Sequence, residues 1–124
     1  QFGPIVSAFI DAPRDLSPAA AYRHAVNAYF ADLTDEERHD AIVTQHLLYT
    51  VPEARGLLYS AYVDLIERLA DALVRRLDRP SDLAERRVIS GAIVGVLIAA
   101  SDGEPLPEEE LVRSFEILEA KMGW

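Results

Sequence analysis

The side chains best suited to metal binding or proton transfer in this 124-residue chain are its three histidines, His24, His39 and His46. His39 lies one helical turn from Asp35 and next to Asp40, and an imidazole flanked by carboxylates suits a divalent cation. No HxxxH spacing accompanies it, and acidic residues at a helix start occur without any metal. His46, nearer the apolar end of its segment, reads as a satisfied core histidine or a ligand contact rather than a proton shuttle. The chain has no cysteine, which removes thiolate nucleophiles, thiolate metal sites and disulfides. Ser7, Ser60, Ser90 and Ser114 lack a nucleophile-elbow setting, and no glycine-rich phosphate loop follows a strand. The glutamates Glu108 to Glu110 are explained by the start of a helix. Neither a catalytic residue, a metal nor a cofactor is therefore expected, and the chain reads as a protein that is not an enzyme.

Binding chemistry has better candidates. Tyr22, Val26 and Tyr29 recur on one helix face, His46 and Tyr49 follow on the next helix, and Tyr62 and Ile66 on the one after. Together they would enclose an elongated apolar ligand with a few polar tips, the usual make-up of a small-molecule site. The same tyrosines can also be core residues whose hydroxyls reach water.

The elements that must position these residues are all helical. Gly3-Pro4 and Pro13 bracket a short first helix. Ser17 is a good N-cap with Pro18 at the first helical position, opening a second helix that carries Tyr22, Val26, Tyr29 and Phe30. Thr34 and Glu37 form a capping box for a third helix running to about Tyr49. Thr50 and Glu53 repeat that spacing before a long fourth helix from about Pro52 to Leu77. Its outer side, Ser60, Asp64, Glu67, Asp71 and Arg75, reads as a solvated face with i,i+4 pairing along the Glu67, Asp71 and Arg75 series. Ser81 is expected to cap a fifth helix, SDGEPLP to break the chain, and a sixth helix to run from Pro107 until Gly123 ends it. No period-two run bounded by turns is present, so the expected architecture is an all-α bundle of about six helices in a single domain over residues 1–124.

The fifth helix contains Val88 to Ala100, thirteen consecutive residues without a charge. Thirteen residues of helix rise roughly 20 Å, short of the ~30 Å apolar layer of a bilayer. A helix apolar all round must be covered all round, and one small domain has limited means to do so. Small residues among Val88, Gly91, Ala92, Gly95 and Ala99 would admit another helix closely. Val88, Ala92, Gly95 and Ala99, with Leu111, Phe115, Leu118 and Met122 of the sixth helix, are the expected homodimer interface, the last two helices meeting their symmetry mates as a four-helix bundle.

Composition narrows the partners. With 21 Asp and Glu against 12 Lys and Arg the net charge is −9, so the chain itself repels nucleic acid. Arginine supplies all the basic residues except Lys121, a bias that points to a GC-rich bacterial genome. The missing cysteines and the lack of a signal-like start fit a cytoplasmic setting.

The helix order, the Thr50-Val51-Pro52-Glu53 opening of the long helix within TVPEARGLLYSAYVDLIERLADALVRRL, and the apolar penultimate helix resemble the regulatory half of tetracycline-repressor-type (TetR) transcription factors over roughly Ser17 to Met122. The resemblance implies a helical domain that binds a small hydrophobic or acyl-type effector and dimerises through its last two long helices. It also implies DNA binding through an amino-terminal helix-turn-helix domain that this chain does not contain, with residues 1–16 as the end of the connector from it. The expected function is thus the regulatory domain of a bacterial transcriptional repressor. Two other classes compete: a stand-alone helical adaptor whose apolar surface binds another protein, and an acidic helix-bundle enzyme, which would need paired carboxylates in a cavity.

Overall fold

Side-chain caps start three of the six helices. The structure, a computed structural model, describes residues 3–101 and 108–123. After α1 (Gly3–Asp11), Ser17 Oγ accepts from the Ala20 amide at 3.3 Å and Pro18 sits in the first turn of α2 (Pro18–Ala31). The expected capping box opens α3 (Asp35–Thr50): the Glu37 amide donates to Thr34 Oγ1 at 3.1 Å, and the Thr34 amide donates to Glu37 Oε1 at 2.9 Å. Three acidic residues, Asp35 to Glu37, face the positive end of that helix dipole.

The next junction departs from the sequence reading. Thr50 is the last residue of α3 rather than a cap, and its hydroxyl donates to the His46 carbonyl at 2.7 Å. The proline ring disfavours helical geometry in the residue before it. Val51 is accordingly extended (φ −92°, ψ 114°), and Pro52–Ala54 forms a single 3-10 turn before α4 (Arg55–Arg76) begins. The start of α5 (Leu83–Ser101) also moves by one residue. Asp82 Oδ1 accepts from the Glu85 amide at 2.8 Å and is the cap, while Ser81 accepts from the Arg86 guanidinium. α6 (Glu108–Met122) ends at Gly123, whose φ of +68° is the left-handed geometry that closes helices. Apart from Ser101, the SDGEPLP break lies outside the described residues, as does Pro107. All six helices are α-helices, with no strand among the described residues.

The core runs between α1, α2, α4, α5 and α6. Phe9, Tyr22, Leu65, Leu69, Leu73, Ile93, Val94 and Phe115 are almost completely enclosed there. On α4 the inward positions Tyr62, Leu65, Leu69, Ala72, Leu73 and Arg76 follow helical spacing, which makes α4 the central rod. α4 packs on α5 and α1, α2 joins α1 and α6, and α5 lies beside α6. A two-pronged ion pair, Arg23 Nε to Glu119 Oε2 at 2.8 Å and Arg23 Nη2 to Glu119 Oε1 at 3.1 Å, ties α2 to α6. The polar stripe of α4 is exposed, and the i,i+4 ion pair there joins Asp64 to Arg68 at 2.8 Å, outside the expected Glu67, Asp71 and Arg75 series.

Arg76, 6 % exposed, is the charged residue most deeply placed in this core. Its Nη1 donates to the carbonyls of Phe9 at 3.2 Å and Ala12 at 2.7 Å, and its Nη2 to Pro13 at 2.8 Å and Leu16 at 3.2 Å. The last turn of a helix leaves carbonyls without intrahelical donors. One guanidinium therefore satisfies the end of α1 and the loop into α2, and fastens both to the far end of α4. Arg14 returns the contact by donating to the Arg75 carbonyl.

Candidate ligand groove and outer helix face

The seven residues expected to line a pocket separate into different places. Tyr22 is a core aromatic, packed between Phe9 (ring centroids 6.3 Å apart) and Phe115 (5.1 Å). Burial pushes its phenol well above the ordinary tyrosine range, so it stays a neutral filler. Val26 is enclosed in the same cluster. Tyr29 is half-buried with its ring edge against Phe30, Ile66 is half-buried against the core, and His46 is exposed on α3. Tyr49 and Tyr62 do come together. Both are buried, and their hydroxyls hydrogen-bond to each other across the α3–α4 junction.

That tyrosine pair forms one wall of a groove of about 220 Å³ completed by Arg55, Leu58, Tyr59 and Ile98. Positions 55, 58, 59 and 62 recur at the spacing of one helix face, so the first two turns of α4 make the floor. The preceding 3-10 turn, imposed by Pro52, sets the angle at which α3 brings Tyr49 against that face. Ile98, near the end of α5, supplies the opposite rim and is 41 % exposed, while Tyr59 is 72 % exposed. Sequence reading missed Arg55, Leu58, Tyr59 and Ile98. The α4 members were signalled by their spacing from Tyr62, but Ile98 comes from a distant segment.

A larger cleft of about 370 Å³ lies between α1 and α4, lined by Gly3, Val6, Ser7, Ile10, Arg68, Asp71, Ala72 and Arg75. Its α4 wall is charged, which suits an apolar ligand less well than the tyrosine groove does. Among the described residues no group of three or more His, Cys, Asp or Glu side chains is placed to hold a metal ion. Asp35, His39 and Asp40 are all exposed.

The residues expected at a subunit interface also divide. Val88 is 63 % exposed, Gly95 and Ala99 are exposed, and Ala92 is half-buried, so this side of α5 faces outward. Leu111 and Phe115 are instead buried in the core, Phe115 against Tyr22 of α2, and Leu118 packs half-buried against the same cluster. The inward face of α6 is thus spent within the subunit, because α2 offers Tyr22 to it. The side chain of Met122 lies outside the described residues. Exposed apolar residues that the reading did not include are Leu83 and Ile98 on α5 and Ile117 on α6.

Gly91 and Gly95 stand in the interior of α5, and a methyl group built on either meets nothing within 4 Å in the subunit. Glycine costs a helix interior roughly 0.8 to 1 kcal/mol against alanine. Packing inside the subunit gives no reason for either.

No helix among the described residues is long and apolar enough to cross a membrane. Searches of curated proteins and of solved structures found no match to the chain. A family model described as the MftR C-terminal domain, one of the TetR C-terminal domain models, matches residues 16–122. That span takes in every element from the loop before α2 to the end of α6, and the chain accordingly belongs to the TetR-type C-terminal domains, a family of regulatory ligand-binding and dimerisation domains.

Proposed function

We propose that this chain is the effector-sensing and dimerisation part of a bacterial transcriptional repressor that works in the cytoplasm. TetR C-terminal domains typically dimerise and bind small molecules, and such regulatory domains are in general not enzymes. In this reading the chain performs no catalysis and needs no cofactor. Its effector is a small hydrophobic molecule, acyl-type in the reading from family resemblance, and it contacts DNA solely through an amino-terminal domain outside this sequence.

The observation that carries the reading is the groove itself: apolar walls from Leu58, Tyr59 and Ile98, with the Tyr49–Tyr62 hydroxyl pair and Arg55 as its few polar groups. Dimerisation is supported by the outward apolar side of α5, where Val88 and Ile98 flank the two unexplained glycines. A C2 contact uses the same patch on both copies.

The groove sits at the beginning of α4 and the Arg76 clamp at its end, roughly 25 Å apart along one helix. If α1 leads to the DNA-reading domain, α4 connects the effector directly to it. In an intact dimer the DNA heads must reach half-sites about 34 to 36 Å apart. An effector that favours another setting of α4 weakens DNA binding by its differential affinity, typically about 1 to 3 kcal/mol.

A neutral apolar fluorophore such as N-phenyl-1-naphthylamine, titrated into the protein, tests the groove. Leu58→Trp fills the groove and is expected to weaken probe binding at least tenfold while light scattering still shows a dimer. Unchanged binding in that variant would move the ligand site elsewhere. The adaptor reading draws on Ile42, Val43 and Leu47, which expose apolar surface along α3. It predicts a monomer in isolation, where the repressor reading predicts a dimer.

A further inference from the structure

We infer that the groove is only half a site, and that Val88 of the second subunit closes it. The inference rests on the groove and dimer readings above and adds which residue of the partner meets the ligand.

At about 220 Å³ and open along one side, the groove is smaller than the roughly 300 to 1,000 Å³ of sites that surround most of a ligand. Its open rim is Ile98, and Ile98 also belongs to a second pattern. On the outside of α5, Val88, Gly91, Gly95 and Ile98 follow each other at steps of three, four and three residues, the spacing of a seam along which another helix lies. This seam is distinct from the core face of the same helix, which carries Ile89, Ser90, Ile93 and Val94. No charge interrupts it.

The order of sizes along the seam identifies the occupant. It reads large, small, small, large, and the positions are symmetric about residue 93. A two-fold axis passing there sets Gly91 against the partner's Gly95, and Ile98 against the partner's Val88. Two bare backbones then meet at the centre, where a methyl group would otherwise have open space on the subunit's side. The bulky ends flank the crossing, one at each groove. A second copy of this chain meets that self-matching pattern, and a C2 dimer is the arrangement that uses one patch twice. Ile98 is one turn from Gly95, a rise of about 4.5 Å, so a helix seated on the glycines extends over the groove mouth.

Within its own subunit Val88 is ten positions from Ile98, about 15 Å along α5, and it does not line the groove. A change there reaches the groove through the partner. The 124-residue chain is titrated with N-phenyl-1-naphthylamine, with light scattering and circular dichroism on the same samples. Val88→Trp is expected to retain helicity and to weaken probe binding at least fivefold. Gly95→Arg, at an exposed position with open space, is expected to give a folded monomer that binds at least tenfold more weakly.

The decisive arm mixes Val88→Trp subunits with Leu58→Trp subunits. In the mixed dimer the intact groove of the first is covered by the unmodified Val88 of the second, so the mixture binds the probe more tightly than either variant alone. A mixture that exchanges subunits yet stays silent overturns the inference. So does a Gly95→Arg monomer that binds the probe at full strength in a Leu58-dependent way, an outcome that leaves the groove reading intact. Binding by the parent protein that ignores Leu58→Trp removes the groove reading, and this inference with it.

Discussion

Arg76 shows how much one side chain can determine. A planar guanidinium carries five donors in a fixed fork, and here it reaches carbonyls on both sides of the α1–α2 turn. Burial pulls its pKa down from the ordinary arginine range, and the nearby Arg14 acts in the same direction. Arg76→Leu keeps much of the volume but leaves those carbonyls without donors. The expected loss is about 3 kcal/mol, or on the order of 10 °C in Tm for a domain of this size, measured by thermal unfolding. Arg76→Lys should recover a minor part, since an ammonium cannot span the same set of carbonyls. Glu37 supplies a pH-dependent counterpart. Accepting hydrogen bonds from Thr34 holds its carboxyl below the ordinary glutamate range. A carboxylate depressed in the folded state contributes above its unfolded pKa and loses that contribution as pH falls through the folded one. The Thr34 amide resonance should therefore shift in acid, below the ordinary glutamate range, and Glu37→Gln, which can still complete the box, should abolish that shift.

The helices differ in how firmly they are held. α3 contributes a single buried side chain, Tyr49, and exposes Ile42, Val43 and Leu47, whereas α4 buries seven residues along its length. Few buried contacts mean low local stability. Hydrogen exchange should accordingly show α3 amides opening well before those of the second half of α4. An apolar ligand in the groove should protect the last turn of α3 selectively, because Tyr49 is its link to the site. Equal protection along α3 and α4 in the free protein would show that α3 is anchored by something other than Tyr49.

At the scale of the whole chain, much of the architecture was legible in the sequence because local rules agree with the global one. Ser17, Thr34, Glu37 and Gly123 mark helix ends by chemistry that acts within a few residues. Thr50 misled because its neighbour Pro52 enforces an extended Val51, and a threonine hydroxyl can turn back to its own helix instead of capping the next. The site was legible in part, through Tyr49 and Tyr62. Tyr22 has the same spacing signal, but whether a tyrosine faces a cavity or a phenylalanine depends on where Phe9 and Phe115 arrive, and periodicity within one helix carries no such information. The same holds for α6. Its regular apolar face signals burial without saying whether its own subunit or a second one provides it, and the fold buries Leu111 and Phe115 within the subunit, Phe115 against Tyr22 of α2.

Both the dimer and the closed ligand site require the outer side of α5 to be met by a second copy of the chain. Sedimentation equilibrium of the parent protein beside the Gly91→Ala/Gly95→Ala double variant measures this most directly, with thermal unfolding of the dilute, dissociated subunits alongside. The account predicts a dimer for the parent and an association at least tenfold weaker for the variant. The isolated variant subunit should nonetheless be more stable, by about 1 to 2 kcal/mol, because alanine is the better helix former. A parent that remains monomeric at every concentration, or a double variant that associates as tightly as the parent, would contradict it.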